Sequence, residues 1–388
     1  MKYKYLTTIL IIMFTLALSS LTVLTPDKKT SESENRLLAS RPSLSINEGT
    51  IDSLLNGSYF TTWDTYFSDQ MMGRSTFVNL YTNHQPLLNR QYINDVYFGN
   101  EQYLFSLGNY DSKSYAELQQ RAAYFNDIER ALKKIPLYMV ALPSKEMVYE
   151  NSVGIKNYRA PKISDLYVLV SHLGKEIEVL NLLPTFRNGN EAYYYKTDHH
   201  WTMEGTYVGY QEIVKRLAQR FSSIGTPLSK SDFNITTFKQ FFLGSEGRKV
   251  SQLVADQLED IELWKSDAQR EFTVTVNQQE GQLFEEDKLS TDILNNDYTV
   301  YMGGDNAKEV IENPNSKNHL EIVLIGDSMS NPLVGMLAHH VKTVHSFDLR
   351  HYEGDILAEI ESINPDAVLL VGLSANFTNS GSKVFQVN

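Results

Sequence analysis

The chain has 388 residues, 42% of them hydrophobic and 21% charged, which suits one large or two modest globular domains and excludes a disordered protein. Its net charge of −12 excludes nucleic acid as the partner, because binding to a phosphate backbone needs clustered Lys and Arg. The absence of cysteine excludes thiol nucleophiles, disulfides and cysteine-ligated zinc.

The N-terminus carries an apolar segment long enough to cross a membrane. Two lysines precede an uncharged run from Leu6 to Leu24, and at about 1.5 Å per residue a helix of this length spans a bilayer core of roughly 30 Å. Residues 1–30 are therefore predicted to be a signal anchor or signal peptide, with the rest of the chain outside the cytoplasm. Residues 17–19 resemble a cleavage site, but the apolar run continues past them, which favours an anchor. The alternative is a buried core helix.

After the apolar segment, the chain continues as a polar stretch and then as a predicted helical region. Residues 31–50 are polar and lack periodicity, so we interpret them as a stalk that leads into a domain spanning residues 51–388. From about residue 51 to 135, apolar side chains recur at helical spacing, with a hairpin expected around Gly99-Asn100.

From residue 135 onward, helices alternate with short apolar strands such as IPLYMVALP, LEIVLIGD and DAVLLVGL. This alternation predicts an α/β sandwich with a mostly parallel sheet. Residues 225–300 interrupt the pattern with polar sequence, and we interpret them as an insertion with some β-structure. The segment YTVYMGGDN, residues 298–306, is predicted to be a further strand that ends in a glycine turn.

The segment LEIVLIGDSMS, residues 320–330, has the pattern of a nucleophile turn. An apolar strand ends in Gly326, so Asp327 and Ser328 follow at the carboxyl edge of the sheet, where α/β folds place their sites. The helix predicted next aims its N-terminal N–H groups at the serine and helps to hold a developing oxyanion. Ser328 is the predicted nucleophile. The alternative is an ordinary turn with Asp327 and Ser328 as helix caps.

A serine nucleophile needs a base that is itself held by an acid. In TDHHWT, Asp198 and His200 are two residues apart, which puts them on the same side of an extended segment. His200 is therefore the predicted general base and Asp198 its orienting partner, with His199 pointing toward the core or a structural hydrogen bond. The alternatives are exchanged roles for the two histidines, a structural histidine pair, or a metal site. Adjacent histidines rarely bind one ion together, so no metal is predicted.

TDHHWT together with GDSMS resembles the DHHW family, which is related to the AlgJ and AlgX type alginate O-acetyltransferases of the SGNH hydrolase-like superfamily. The resemblance spans most of the chain after the anchor and includes SENRLLASRPSLS at 33–45, GRSTFVNLY at 73–81, LPSKEMVYEN at 142–151, YMGGDN at 301–306 and DLRHY at 348–352. It implies an SGNH-like three-layer sandwich with permuted motif order, since the Asp-His pair precedes the serine.

The resemblance also implies roles for single residues. Asp198, His200 and Ser328 match the family's catalytic positions, and the backbone N–H of Ser328 is expected to hold the oxyanion. Gly304 and Asn376 are further candidates for that oxyanion site, because each follows a predicted strand.

The implied reaction is acetyl transfer to hydroxyls of a cell-surface or exported polysaccharide through an acetyl-serine intermediate. A membrane-bound O-acyltransferase would supply the acetyl group across the membrane, and no soluble cofactor is expected. The alternatives are a carbohydrate esterase with the same triad and a non-catalytic glycan-binding or assembly protein.

Overall fold

The computed structural model describes residues 5–31, 36–43, 48–106, 113–153, 162–189 and 192–387. The chain divides into two compact units, one made of residues 1–94 and 248–254 and the other of residues 95–247 and 255–388. Part of the predicted stalk, residues 31–50, lies outside the described residues.

The first unit is mainly helical. Its apolar helix Leu6–Leu24 has a mean hydropathy of 2.2 and is almost entirely exposed, and by length and composition it is able to cross a membrane. The other elements of this unit are the strands Thr30–Ser31, Arg36–Leu37 and Tyr92–Ile93, the helices Glu48–Leu55, Ser58–Gln70, Arg74–His84 and Ser251–Val254, and the 3-10 helix Pro86–Leu88. The helices expected after residue 51 are therefore confirmed.

An eight-stranded sheet forms the centre of the second unit. Numbered along the chain, its strands are β1 (Leu137–Leu142), β2 (Ile177–Asn181), β3 (Thr273–Val276), β4 (Gln279–Glu280), β5 (Lys308–Glu312), β6 (Glu321–Ile325), β7 (Thr343–Phe347) and β8 (Ala367–Leu373). They lie in the order β4-β3-β5-β7-β6-β8-β1-β2. The strands from β7 to β2 are parallel, whereas β4, β3 and β5 extend the sheet antiparallel. The predicted mostly parallel sheet is confirmed.

Helices cover both faces of this sheet. Strand β1 is continuously apolar because both of its faces are buried. Tyr138, Val140 and Leu142 belong to the apolar cluster on one face of the sheet, and the residues between them belong to the cluster on the other face. The first face packs against the helices Met203–Arg220 and Asn331–Leu337. The second packs against the helices Tyr115–Ala131, Ile163–Val170, Ile356–Ile363 and Ser374–Thr378. This is the three-layer sandwich that the sequence predicts.

Shorter elements complete the second unit. They are the helices Lys145–Val148, Glu150–Val153 and Leu183–Asn188, the paired strands Val96–Phe98 with Leu104–Phe105 and Asn234–Phe242 with Glu259–Lys265, and the 3-10 helices Asn100–Gln102, Ser222–Ile224, Lys230–Asp232, Ala268–Glu271, Glu286–Lys288, Asp297–Val300 and Ser328–Ser330. The helix Ser245–Lys249 begins in this unit. The hairpin expected around Gly99-Asn100 is confirmed.

The strand predicted at residues 298–306 is wrong. Residues 297–300 form a 3-10 helix, and Tyr301 makes only an isolated bridge with Phe284. Positive φ angles at Met302, Gly303 and Gly304 then turn the backbone, which prevents an extended strand but confirms the predicted glycine turn.

Candidate active site

The nucleophile turn follows strand β6 directly. A Cβ at Gly326 would lie 2.7 Å from Oγ of Ser330 and 3.0 Å from the carbonyl oxygen of Val371, so the chain has room only for glycine where the strand ends. The carboxylate of Asp327 accepts the backbone N–H of Met329 at 3.0 Å. Asp327 therefore caps the short 3-10 helix, as the alternative interpretation of the turn expected, while Ser328 faces the second loop of the site.

That second loop is closed like a small hairpin. Tyr194 and Trp201 form a bridge, and the backbone N–H of Tyr195 donates to the carbonyl of His200 at 3.2 Å. Thr202 then caps the helix Met203–Arg220 by accepting the N–H of Gly205 at 3.2 Å. The residues between the bridge partners are held in a tight loop that carries the Asp-His pair.

The two segments bring three side chains into one hydrogen-bonded chain. Oδ1 of Asp198 lies 2.5 Å from Nδ1 of His200, and Nε2 of His200 lies 2.8 Å from Oγ of Ser328. Asp198 and His200 are buried, with 1% and 7% of their surfaces exposed. This geometry allows the serine to pass its proton to Nε2 while the aspartate orients the ring. The structure thus places the three predicted side chains in one site.

Neighbouring groups favour the ionised form of Asp198. Burial by itself raises the pKa of this carboxyl, but the charges of His200 and His199 and the hydrogen bonds from His200 and Ser245 outweigh burial and hold the pKa well below its ordinary value. Tyr298 covers one face of the His200 ring, with ring centroids 3.9 Å apart and planes 12° from parallel. An ionised, enclosed Asp198 is the group that would stabilise an imidazolium at His200 if the ring took the proton of Ser328.

The adjacent histidine has a different environment. His199 is about half exposed, and its Nδ1 lies 2.9 Å from Oγ of Ser245. Its ring lies beside that of His200, with centroids 3.9 Å apart. His199 therefore makes the structural hydrogen bond that the sequence allowed for, and it lies at the surface of the site instead of in the core.

Asp198, His199 and His200 also offer donor atoms close enough together to hold a metal ion. Both ring nitrogens of His200 face hydrogen-bond partners, however, and Oδ2 of Asp198 accepts the backbone N–H of Ser245 at 2.5 Å. An ion here would have to break the contact of His200 with either Asp198 or Ser328. The arrangement fits proton transfer better than metal binding.

A buried lysine, which was not predicted from the sequence, holds the loop that carries Asp198 and His200 through hydrogen bonds. Nζ of Lys145 donates to the carbonyl oxygens of Asp198, Lys196 and Tyr195 at 2.7, 3.2 and 3.3 Å. It also pairs with the carboxylate of Glu246 at 2.6 Å, and both side chains are 1% exposed. One signal was available in the sequence: Lys145 follows the carboxyl end of β1, at the same edge of the sheet as the nucleophile turn.

The segment predicted as an insertion supplies more of this support. Gly244 donates its N–H to Oγ1 of Thr197 at 3.0 Å, and Gly247 donates to the carbonyl of Thr197 at 2.9 Å. The carboxylate of Glu259 accepts the backbone N–H of Thr197 at 2.7 Å. Residues 225–300 therefore hold the loop that carries the base, and part of them joins the central sheet as β3 and β4.

The three predicted oxyanion contributors differ in their surroundings. Among the described residues, the N–H of Ser328 has no acceptor, which leaves it available to a ligand. Gly304 donates its N–H to the carbonyl of Tyr301 at 3.1 Å, and the amide of Asn376 donates to Asp327 at 3.0 Å. The roles of Gly304 and Asn376 in holding an oxyanion stay predictions.

Arg350 joins the segments 301–306 and 348–352, both of which contributed to the family resemblance. The guanidinium of Arg350 lies between Asp348 and Asp305, at 3.0 Å from the latter. Burial raises the pKa of Asp327, and the nearby charge of Arg350 opposes that rise. The net result is a raised pKa for Asp327, and the cation limits that rise. The guanidinium also occupies the space between Asp305 and Asp348, which together with His351 form the second group close enough to hold a metal.

The chain matches the model of a known family. The model of the SGNH hydrolase-like domain of the acetyltransferase AlgX matches residues 96–294, just over half of the chain. This range contains Asp198 and His200 and ends before Ser328. No curated protein sequence matches the chain.

Several solved structures share the fold. Bacillus cereus PatB1 is 24% identical with a TM-score of 0.62, over 74% of this chain and 98% of PatB1. A second PatB1 structure, with a sulfonyl adduct, is 23% identical with a TM-score of 0.60, over 75% and 99% of the two chains. A DHHW family protein from Eubacterium siraeum is 18% identical with a TM-score of 0.61, over 76% and 96%. These findings confirm the resemblance that TDHHWT and GDSMS indicated.

Proposed function

The chain belongs to the SGNH hydrolase-like family of the acetyltransferase AlgX, and we propose that it is an extracytoplasmic O-acetyltransferase that acts on a cell-surface or exported polysaccharide. The observation that carries the proposal is the hydrogen-bonded chain from Asp198 through His200 to Ser328. An oriented base on a serine at the carboxyl edge of a parallel sheet is the arrangement that acyl transfer needs.

In the first half of the proposed reaction, Oγ of Ser328 attacks the carbonyl carbon of an acetyl donor while Nε2 of His200 takes the hydroxyl proton. The N–H of Ser328 stabilises the negative oxygen of the tetrahedral intermediate. The intermediate collapses when the bond to the donor's leaving group breaks and His200 returns the proton to that group. Ser328 then carries the acetyl group as an ester.

In the second half, a sugar hydroxyl replaces the leaving group. His200 takes the proton of this hydroxyl, whose oxygen attacks the acetyl-serine carbonyl. The second intermediate breaks the bond to Oγ, and His200 gives the proton back to Ser328. The product is an acetylated sugar, and the enzyme is regenerated without a cofactor.

The donor and the location follow from the N-terminal helix. We propose that Leu6–Leu24 is retained as an anchor, which keeps the catalytic unit outside the cytoplasm and attached to the membrane. A membrane-bound O-acyltransferase that carries acetyl groups across the same membrane would then supply the donor.

The test of the nucleophile uses a sulfonyl fluoride probe on the full-length protein, since a structure of Bacillus cereus PatB1 contains a sulfonyl adduct. Wild type should be labelled, and Ser328→Ala should lose labelling and all acetyl release from a model ester. Ser330→Ala is the matched control, because Oγ of Ser330 donates to the carbonyl of Asp327 and not to the base. Equal labelling of wild type and Ser328→Ala would overturn the proposed nucleophile. A wild-type protein with neither labelling nor acetyl release would favour a non-catalytic glycan-binding protein.

The test of transfer uses the same protein with a model acetyl ester and abundant polysaccharide. Acetyl groups should appear on polysaccharide hydroxyls in addition to water. Release to water alone at every acceptor concentration would replace the transferase with a carbohydrate esterase that uses the same triad.

A further inference from the structure

A helix of the first unit exposes an apolar stripe. Phe77, Leu80 and Tyr81 of the helix Arg74–His84 are separated by three and four residues, so they lie on one face, and each is about half exposed. Leu87 and Leu88 continue the exposed apolar surface just after the helix. We call these five residues the apolar stripe. Contiguous exposed apolar groups of this kind mark a surface that something covers.

The stripe begins beside the end of the apolar N-terminal helix. Oγ1 of Thr22, in the last turn of that helix, accepts the backbone N–H of Met72 at 3.1 Å. Just beyond the helix, the amide of Gln70 accepts from the N–H of Lys28 at 2.9 Å and donates to its carbonyl at 2.8 Å. Arg41 donates to the carbonyl of Val23 at 2.8 Å. The contact of Thr22 with Met72 holds the chain two residues before the stripe's helix against the last turn of the apolar helix. The contacts of Gln70 and Arg41 hold other segments of the first unit at the same end of the apolar helix.

The charge of the same segment differs from that of the chain. No Asp or Glu occurs between residues 71 and 93, although the whole chain has a net charge of −12. The segment contains Arg74 and Arg90 instead. Exposed apolar and aromatic side chains next to arginines, without nearby acids in sequence, suit the interface of an anionic bilayer.

We propose that the apolar stripe inserts into the interfacial layer of the membrane beside the anchor. The inference rests on the anchor of the proposed function and is independent of the reaction at Ser328. Lipid is the occupant that the contacts favour, because a retained helix Leu6–Leu24 holds the start of the stripe at a bilayer whatever protein partners are present. The stripe then gives the first unit a second attachment to the membrane.

The absence of native cysteine allows a direct test. Full-length Leu80→Cys, labelled with the polarity-sensitive fluorophore NBD, is reconstituted into vesicles of phosphatidylethanolamine and phosphatidylglycerol. Ser75→Cys is the matched control, because it lies on the same helix more than about 100° around the axis from the stripe and is exposed. Leu16→Cys, inside the apolar helix, reports on the anchor itself.

The expected result is a blue-shifted emission at positions 80 and 16, quenching there by nitroxide lipids, and several-fold weaker quenching by aqueous iodide than at position 75. Lipid contact at position 16 with full iodide quenching at position 80 would overturn the docking surface and leave the anchor intact. An aqueous label at position 16 would overturn both. Sulfonyl labelling of Ser328 is read separately, so failure of the reaction is distinguishable from each result.

Discussion

Asp198 occupies a position that leaves no space for a side chain at residue 244. A Cβ on Gly244 would lie 2.2 Å from Cβ of Asp198 and 2.4 Å from the carbonyl oxygen of Thr197. Both atoms belong to the tightly bonded loop, so relief of the clash must move the backbone that carries the acid. A glycine 46 residues away from Asp198 in the sequence is therefore part of what orients the base.

We predict that Gly244→Ala lowers turnover of a model ester by more than its loss of stability explains. Overpacking of this kind costs about 1–3 kcal/mol of unfolding free energy, and displacement of the carboxylate breaks its 2.5 Å contact with His200. Thermal unfolding and steady-state kinetics measure the two effects. Gly174→Ala is the control, because its Cβ would meet only an ordinary contact 3.5 Å away. Wild-type turnover in Gly244→Ala would contradict this account of the loop.

At the scale of the elements, the turn after β1 has two structural roles. Its Lys145 compensates a buried charge and also positions the loop that carries Asp198 and His200. Lys145 neutralises the buried Glu246 and also donates to three carbonyl oxygens of the loop that carries Asp198 and His200. Removal of one partner of a buried ion pair costs about 3–5 kcal/mol, whereas removal of both partners costs much less. The two roles can therefore be separated by mutation.

We predict that Lys145→Met loses about 3–5 kcal/mol of stability and most of its turnover. In the double variant Lys145→Met/Glu246→Gln, stability should recover in part because no unpaired charge stays buried, but turnover should remain low because the carbonyl contacts are still missing. Denaturant unfolding and ester kinetics measure both quantities. Arg130→Met, from an exposed ion pair with Asp127, is the control and should cost less than about 1 kcal/mol. Restored turnover in the double variant would show that Lys145 acts only as a counter-charge.

The elements also show what the sequence could predict. Strands β1, β6 and β8 are buried on both faces, so their apolar runs predict a parallel sheet directly. The Asp-His pair and the serine were recognisable because TDHHWT and GDSMS contain the residue types that a serine nucleophile and its base require. Lys145, Gly244 and Glu246 were not recognised, since their roles exist only through contacts with residues about 50 to 100 positions away along the chain.

At the scale of the molecule, the loop that carries Asp198 and His200 is supported by segments spread over most of the second unit. The turn after β1, the glycine segment at 244–247, the carboxylate of Glu259 and the ring of Tyr298 all contact the six residues of TDHHWT or their immediate neighbours. The geometry of the site therefore depends on both the sheet and the 225–300 segment. Substitutions in that segment should affect the reaction even where they lie far from Ser328 in sequence.

The stability of the second unit should also depend on pH through one buried carboxyl in the sheet. Burial, together with the nearby charges of Asp305 and Asp348, raises the pKa of Glu309 from 4.5 to about 7, against the opposing hydrogen bond from Asn306. A raised pKa means that the folded state binds this proton more tightly than the unfolded state. Its stabilising effect is full below about pH 4.5 and is lost as the pH rises through about 7.

Glu309→Gln cannot ionise, so its stability relative to wild type should increase between about pH 5 and pH 8, by up to about 3 kcal/mol. Thermal or urea unfolding across this range measures the difference. Glu312→Gln, at an exposed position of the same strand, removes the same charge from water and should show no comparable trend. A constant difference between Glu309→Gln and wild type across the range would mean that the carboxyl at position 309 titrates alike in the folded and unfolded chain. The pH dependence of the fold would then have to come from other groups.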